Sequence, residues 1–557
     1  MKFPTSLLSL TRFLLLLPFF SSAWIGVSVA TNNQPQPQYH DLLHCLCSQE
    51  DAISNLIYTA QNSTAYASVL QFSIRNPRFS NNASSSRTKP IAIVTPTTIP
   101  QIQSTVLCSR KHGLHLRVRS GGHDFEGASY ASLSSRFLLL DLVNLRNVTV
   151  DVPSKSAWAQ SGAVLAEVYH SIASASRTLA FPAGLCPTVG LGGHISGGGY
   201  GTTLRKFGMA ADNIRDALLV DADGRVLDRA AMGEDVFWAI RGGGGNTYGI
   251  VVSWKLKLVR VPLRLSAFTV SRTSASSDGD AEMTMLVDRY QRVADKLPDD
   301  LMILVMIGAA AARGQGNSTK QVLQAAFQVM YLGRKGKLLR VMNENFPELG
   351  LKEEDCKEMS WIESVLHFAN YPSNSTYDVL LKSRTDSPIS FAKLKAKSDY
   401  VGTPLPESAL QGIWSRVHQV EPGAALLHLI PHGGMMSRIS DSSTPYSYRA
   451  GTVYKIQYYV AWSGEQKEVE ERHLGWIRKL HEFLTPFVSK NPRGAYANSR
   501  DLDLGMNDPT GETSYEQARG WGEQYFKHNF ERLARVKAAI DPSNFFRNEQ
   551  SVPPLSM

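Results

Sequence analysis

Two segments carry side chains able to do chemistry in surroundings that would present them to a large ligand. They are VRSGGHDFEGASY, which contains His123, and FPAGLCPTVGLGGHISGGGYG, which contains Cys186. An unprotonated imidazole and a thiolate are both nucleophiles accessible near neutral pH. The flanking glycines and small residues let backbone lie flat against a rigid molecule. His123 and Cys186 are therefore expected to hold one cofactor between them, with Cys186, set between Pro182 and Pro187, as an exposed and positioned sulfur.

Other site types are missing from the sequence. No G-x-G-x-x-G follows a strand-like segment, and there is no G-x-x-x-x-G-K-[ST], H-E-x-x-H or G-x-S-x-G; the pair His481-Glu482 meets Thr485 where a zinc site needs a second histidine. The 14 histidines form no ligand-spaced cluster, so no metal is expected. Two dense glycine runs remain, GLGGHISGGGYG and IRGGGGNTYGIV, each leading into an apolar segment. Such runs mark close backbone approach to an extended anionic ligand.

A chain of 557 residues, 43% apolar and 19% charged, has material for a large core split over at least two domains. Its net charge of +9 is scattered. Runs such as RKHGLHLRVR and GRKGKLLR lack the interleaved aromatics of a nucleic-acid surface, so they read as solvated basic faces and no nucleic-acid partner is expected.

Residues 1–30 read as a secretory signal peptide, with Lys2 and Arg12 before FLLLLPFF and the small residues Ser28-Val29-Ala30 at the cleavage site. The apolar run is too short, and too interrupted by Pro18, for a membrane anchor. The mature chain would start at Thr31 and enter the secretory pathway, ending outside the cell, in the vacuole or in an ER-derived vesicle. Glycosylation sequons at Asn62, Asn82, Asn147, Asn317 and Asn374 suit that route. So do five cysteines, Cys45, Cys47, Cys108, Cys186 and Cys356, an odd number that leaves at least one unpaired. Either Cys45 or Cys47 could bridge to Cys108.

The elements that must position these residues fall into stretches. Residues 31–88 form a helical lead-in, and 89–262 alternate short strands (IAIVTP, HLRVRS, FLLLDL, DALLVDADGRVL, GIVVSWKLKLV) with helices such as VLAEVYHSIASA. Residues 263–490 hold strands LSAFTVSR, ILVMIGAAA, QAAFQVMYLG and YKIQYYVAW beside amphipathic helices such as AEMTMLVDRYQRVADKL. Residues 491–557 read as loops plus one amphipathic helix, WGEQYFKHNFERLARVKAAI, stopped by Asp541-Pro542. The class is α+β.

The ordered set LLHCLCSQ, RSGGHD, AGLCPTVGLGGHISGGGYG, WAIRGGGG, KEMSWIES, YKIQYYVAW, RDLDLG and DPSNFFRNEQSVPPL resembles the plant berberine bridge enzyme-like flavoproteins, of the vanillyl-alcohol-oxidase type, over nearly the whole mature chain. The resemblance implies a two-subdomain FAD-binding domain of the PCMH type over 89–262, an α+β substrate domain with an antiparallel sheet over 263–490, and a C-terminal segment completing the FAD domain. It implies FAD attached covalently through His123 and Cys186, with the pyrophosphate over Ser120, Gly121, Gly122, Gly192, Gly193 and Gly197. It also pairs Cys45 with Cys108, leaving Cys47 without a role.

Within that family Val189, three residues past the flavin cysteine, would admit O2 to the flavin; Tyr200 would line the pocket; and Lys455 and Gln457, alternating on one strand, would polarise substrate or flavin edge. The expected protein is a monomeric oxidase acting on a small molecule, a phenolic, prenylated phenolic, alkaloid, alcohol or sugar, and releasing H2O2. Two departures stand out. Relatives carry Tyr-x-Asn-Tyr-Arg-Asp where this chain has YANSRD, so Tyr496 is kept but Ser499 replaces the proposed base; relatives also have His where Tyr448 precedes Arg449. The base is then Tyr496 or Tyr200 assisted by Lys455. Otherwise the protein is a redox-neutral cyclase of the Diels-Alderase type, or a flavoprotein that binds without turnover.

Overall fold

The computed structural model describes residues 37–49, 51–80, 87–133, 136–274, 280–313, 319–382, 384, 386–387, 392–509 and 513–555. The expected signal peptide and the sequons at Asn82 and Asn317 lie outside the described residues. Asn62, Asn147 and Asn374 are all exposed.

Three large sheets and a two-stranded one, Leu179–Ala180 with Val259–Arg260, are formed by the described residues. The first orders Ile57–Thr59, Ala92–Val94, Phe137–Asp141 and His115–Arg119, the last three strands parallel. Its strands Ala92–Val94 and Phe137–Asp141 are buried throughout, the pattern of parallel strands covered on both faces. The helix Pro37–Gln49 packs on this sheet and is tied to the helix Ile99–Lys111 by a Cys45–Cys108 disulfide, which resolves the choice between Cys45 and Cys47. The second sheet is antiparallel, ordered Val148–Asp151, Ser156–Gln160, Ile250–Lys257, Ile214–Val220 and Val226–Leu227. The crossing point of the two glycine-rich motifs lies between these two sheets, with Gly121 touching Gly190 and Gly192 facing Ser161 at the end of the second.

The third sheet is antiparallel, ordered Lys357–Met359, Leu265–Thr273, Thr319–Tyr331, Leu301–Arg313, Ala425–Pro431, Tyr454–Trp462 and Lys393–Val401. Strict alternation sends Ile303, Val305 and Ile307 into a core with the helices Ala281–Val293, Glu407–Val417 and Lys467–Leu484. The opposite face, with Met302, Leu304 and Met306, turns toward a large cavity. Tyr454–Trp462 is largely buried on both faces, where a lone strand pattern allows one solvated side.

The C-terminal stretch departs from the single helix expected. It forms two, Tyr515–Phe526 and Asn529–Ile540, broken at Lys527, whose φ is 49°. The break is held from outside: Ser447 Oγ donates to the Phe526 carbonyl, and Asn529 Nδ2 donates to the carbonyls of Asp441 and Thr444. Both helices then bury Trp521, Phe526, Phe530 and Leu533 in the core that contains Trp254 and Leu191. Beyond them Glu549 makes a buried ion pair with Arg117 at 2.9 Å, returning the chain end to the first sheet.

Candidate functional site

The two glycine-rich motifs cross backbone on backbone. A Cβ on Gly121 would stand 2.2 Å from the Gly190 nitrogen, and one on Gly190 would stand 2.2 Å from that of Gly121. Gly122 has φ +68°, and a Cβ there would lie 1.5 Å from the Ser73 carbonyl oxygen. Only glycine fits such contacts. Ser120 Oγ donates to the Ser161 carbonyl at 2.5 Å, locking the first loop to the second sheet.

The crossing places His123 and Cys186 on one hydroxyl. His123 Nε2 lies 2.9 Å and Cys186 Sγ 3.5 Å from Thr188 Oγ1. Burial, reinforced by the Arg75 guanidinium, lowers the His123 pKa to about 3, so its imidazole is neutral across the physiological range. Burial pushes the Cys186 thiol up, opposed by Thr188 and Arg75. Cys186 is half-buried and lines the large cavity.

The cavity has a volume of about 700 Å³, within the roughly 300–1,000 Å³ of small-molecule sites. On one side it is walled by Ser120, Gly121, Gly122, His123, Cys186, Val189, Gly192 and Gly193. Nothing lies within 4 Å of where a Gly193 Cβ would be, so that position opens directly onto the space. Ser129 Oγ, Ser161 Oγ and Asn246 Oδ1, buried on residues of this wall, have no hydrogen-bond partner among the described residues. A polar cradle of flat backbone with unsatisfied oxygens fits an extended polar ligand such as FAD.

The opposite wall is the third sheet's inner face together with the loop that contains Tyr496. Tyr200 OH donates to Gln457 Oε1 at 2.9 Å, and Gln457 Nε2 donates to Ser499 Oγ at 2.5 Å. Tyr496 oxygen accepts from the Gly199 N–H at 3.0 Å and from Asn498 Nδ2 at 3.3 Å. Lys455 Nζ sits 3.7 Å and 3.9 Å from the ring centres of Tyr200 and Tyr496. Burial without a carboxylate partner holds the Lys455 pKa well below the lysine value, and burial raises those of Tyr200 and Tyr496.

Two expected members lie outside the wall. Gly197 caps the short helix Leu191–Ser196, and a Cβ there would meet Asn498 Oδ1 at 2.1 Å, so it makes room for the Tyr496 loop. Lys455 stands behind the tyrosine rings. In return the structure adds residues that the sequence reading passed over. Thr188, which meets His123 and Cys186, and Tyr459, in the wall, follow Cys186 and Gln457 at a spacing of two, a signal that strand alternation makes visible for Tyr459. Asn246 closes the glycine run IRGGGG. His194, also in the wall, accepts from the Gly184 N–H at 3.2 Å.

A cavity floored by crossing glycine loops and roofed by an antiparallel sheet defines a flavin-binding oxidoreductase site. Residues 90–230 match the FAD binding domain family, and residues 495–553 match the berberine and berberine-like family. The chain is 44% identical to monolignol oxidoreductase AtBBE-like 13 of Arabidopsis thaliana over 97% of its own length and 99% of the relative's. Among solved structures, berberine bridge enzyme from Eschscholzia californica superposes with a TM-score of 0.85 at 41% identity, over 93% of this chain and 100% of that one. A variant of the grass pollen allergen Phl p 4, isoleucine replaced by valine and described as a glucose oxidase, gives 0.83 at 42% identity with the same coverage. The chain belongs to the berberine bridge enzyme-like family of FAD-dependent oxidoreductases.

Proposed function

We propose that this protein is an oxidase of the secretory pathway that holds FAD covalently through His123 and Cys186 and oxidises an aromatic alcohol by two electrons, with O2 as acceptor and H2O2 as co-product. The observation that carries the reading is the meeting of His123 and Cys186 on Thr188, in a cavity whose far wall presents Tyr200, Gln457 and Tyr496. When bound, FAD supplies the two-electron acceptor. Two covalent links keep it seated while the cavity stays wide.

The chain's own residues handle the proton. The group Tyr200, Lys455 and Tyr496 is the proton acceptor for the substrate hydroxyl, with burial lowering the proton affinity of Lys455. Gln457 fixes Tyr200 in place. Met302, Leu304, Met306, Phe368 and Leu426 give an apolar wall suited to an aromatic ring better than to a sugar. Val189 lies in the wall near Cys186. The Phl p 4 variant with valine is described as an oxidase and the wild type as a dehydrogenase, which supports O2 as the acceptor here. The disulfide and three exposed sequon asparagines support an oxidising compartment.

One observation favours a second reading, a redox-neutral cyclase: Ser499, where the family resemblance leads one to expect a tyrosine base, is fully buried and spent on Gln457. Anaerobic mixing with 4-hydroxycinnamyl alcohol, a prenylated phenol and glucose, followed by O2, separates the two. Bleaching by the alcohol and stoichiometric peroxide support the oxidase. A product equal in mass to its substrate, with no bleaching by any of the three, supports the cyclase.

A further inference from the structure

Gln457 is committed: its oxygen accepts from Tyr200 and its nitrogen donates to Ser499. Lys455 is covered by two rings, and the Tyr496 oxygen already accepts from two donors. On the neighbouring strand, directly paired with Gln457 in register, stands His428. The two strands run about 4.8 Å apart, and paired residues share a face. His428 is part of the cavity wall, its ring meets Tyr459 edge-on at 5.1 Å, and Met306 pairs with it on the other side. Its Nε2 has no hydrogen-bond partner among the described residues.

A buried imidazole nitrogen without a partner is costly and is retained where something else completes it. Burial, with Lys455 nearby, lowers its pKa to about 4, so the ring is neutral and offers one donor and one acceptor. The apolar residues beside it leave a hydroxyl-bearing aromatic ring as the complementary shape.

We propose that His428 is a substrate-contacting, specificity-determining residue, whose imidazole hydrogen-bonds a hydroxyl of the aromatic alcohol other than the one oxidised beside Tyr200 and Gln457. The inference rests on the aromatic-alcohol reading above. It predicts selection for ring-hydroxylated alcohols over the same skeleton without that hydroxyl.

The test titrates the flavin-loaded protein anaerobically with 4-hydroxycinnamyl alcohol and with cinnamyl alcohol, following dissociation constants from the initial flavin spectral perturbation and the rate of any reduction separately. The wild type should bind the hydroxylated alcohol about threefold to tenfold more tightly, the span of one neutral hydrogen bond. His428→Leu should abolish the preference by weakening the hydroxylated alcohol alone, and His428→Gln should keep part of it. Equal affinities in the wild type overturn the inference. So does a preference unchanged in His428→Leu or, should that variant fail to retain flavin, unchanged in His428→Phe. A preference present without any flavin reduction leaves His428 as assigned and sinks the oxidase reading instead.

Discussion

Arg500 Nε lies 3.1 Å from Asp124 Oδ2, an ion pair that joins the residue after His123 to the residue after Ser499. The two walls of the cavity are thereby clamped at their closest sequence neighbours. Asp124 also accepts from the backbone N–H groups of Glu126 and Ala128, and Arg500 reaches Asn548 at 3.3 Å.

With both side chains mostly buried, the pair should show a coupling of about 1–2 kcal/mol in a double-mutant cycle of Asp124→Asn and Arg500→Met. Denaturant unfolding of the four proteins measures it. Additive single effects would mean that the clamp is incidental.

Thr188→Val keeps the shape and removes the hydroxyl shared by His123 and Cys186. Attachment of added FAD to apoprotein should slow about tenfold, the scale of one lost hydrogen bond of ~1.4 kcal/mol. Acid precipitation at timed intervals reads it: attached flavin stays yellow in the pellet and unattached flavin stays in the supernatant. Identical time courses would remove Thr188 from the attachment step.

Lys455→Met should lower the anaerobic flavin reduction rate by roughly 100-fold or more while leaving the affinity for the alcohol within about threefold. Its stability signature has a definite sign. The folded chain holds the Lys455 proton less tightly than the unfolded chain does, so between the depressed folded value and about 10.4 the unfolded state binds more protons and wild-type stability rises with pH. Denaturation midpoints taken at about pH 6 and about pH 9.5 should show the wild type gaining on the variant toward the alkaline end. A constant difference across that span would place the lysine's proton affinity at its ordinary value.

Val189→Ile, with its extra methylene in the wall near Cys186, should slow reoxidation of reduced flavin by O2 at least about tenfold without altering anaerobic reduction. Stopped-flow mixing with O2 isolates that half of the cycle. Unchanged reoxidation would assign oxygen access to another residue.

Much of the floor was legible before any coordinates, because His123, Cys186 and their glycines are contiguous segments and a glycine run announces close approach in one dimension. The alternation of Lys455, Gln457 and Tyr459 could likewise be read along one strand. His428 could not. Its place beside Gln457 depends on cross-strand register, which no local pattern encodes, and its flanking residues LLHLIP read as plain buried strand. The packing at Gly197 was hidden for a related reason: a side chain there would meet Asn498, from a distant segment. The break at Lys527 was hidden because the carbonyl and amide contacts that hold it come from Ser447 and the loop around Asp441.

The Tyr496 loop and the final tail, through Asn498, Ser499, Arg500 and Asn548, supply part of the wall around the flavin cradle. In chain order these residues come well after both glycine-rich loops. With only the two crossing loops in place the cavity is a trough open along one side, and docking of the later segment closes that side. A chain cut between Cys186 and Tyr496 would therefore keep His123 and Cys186 but lack this part of the wall.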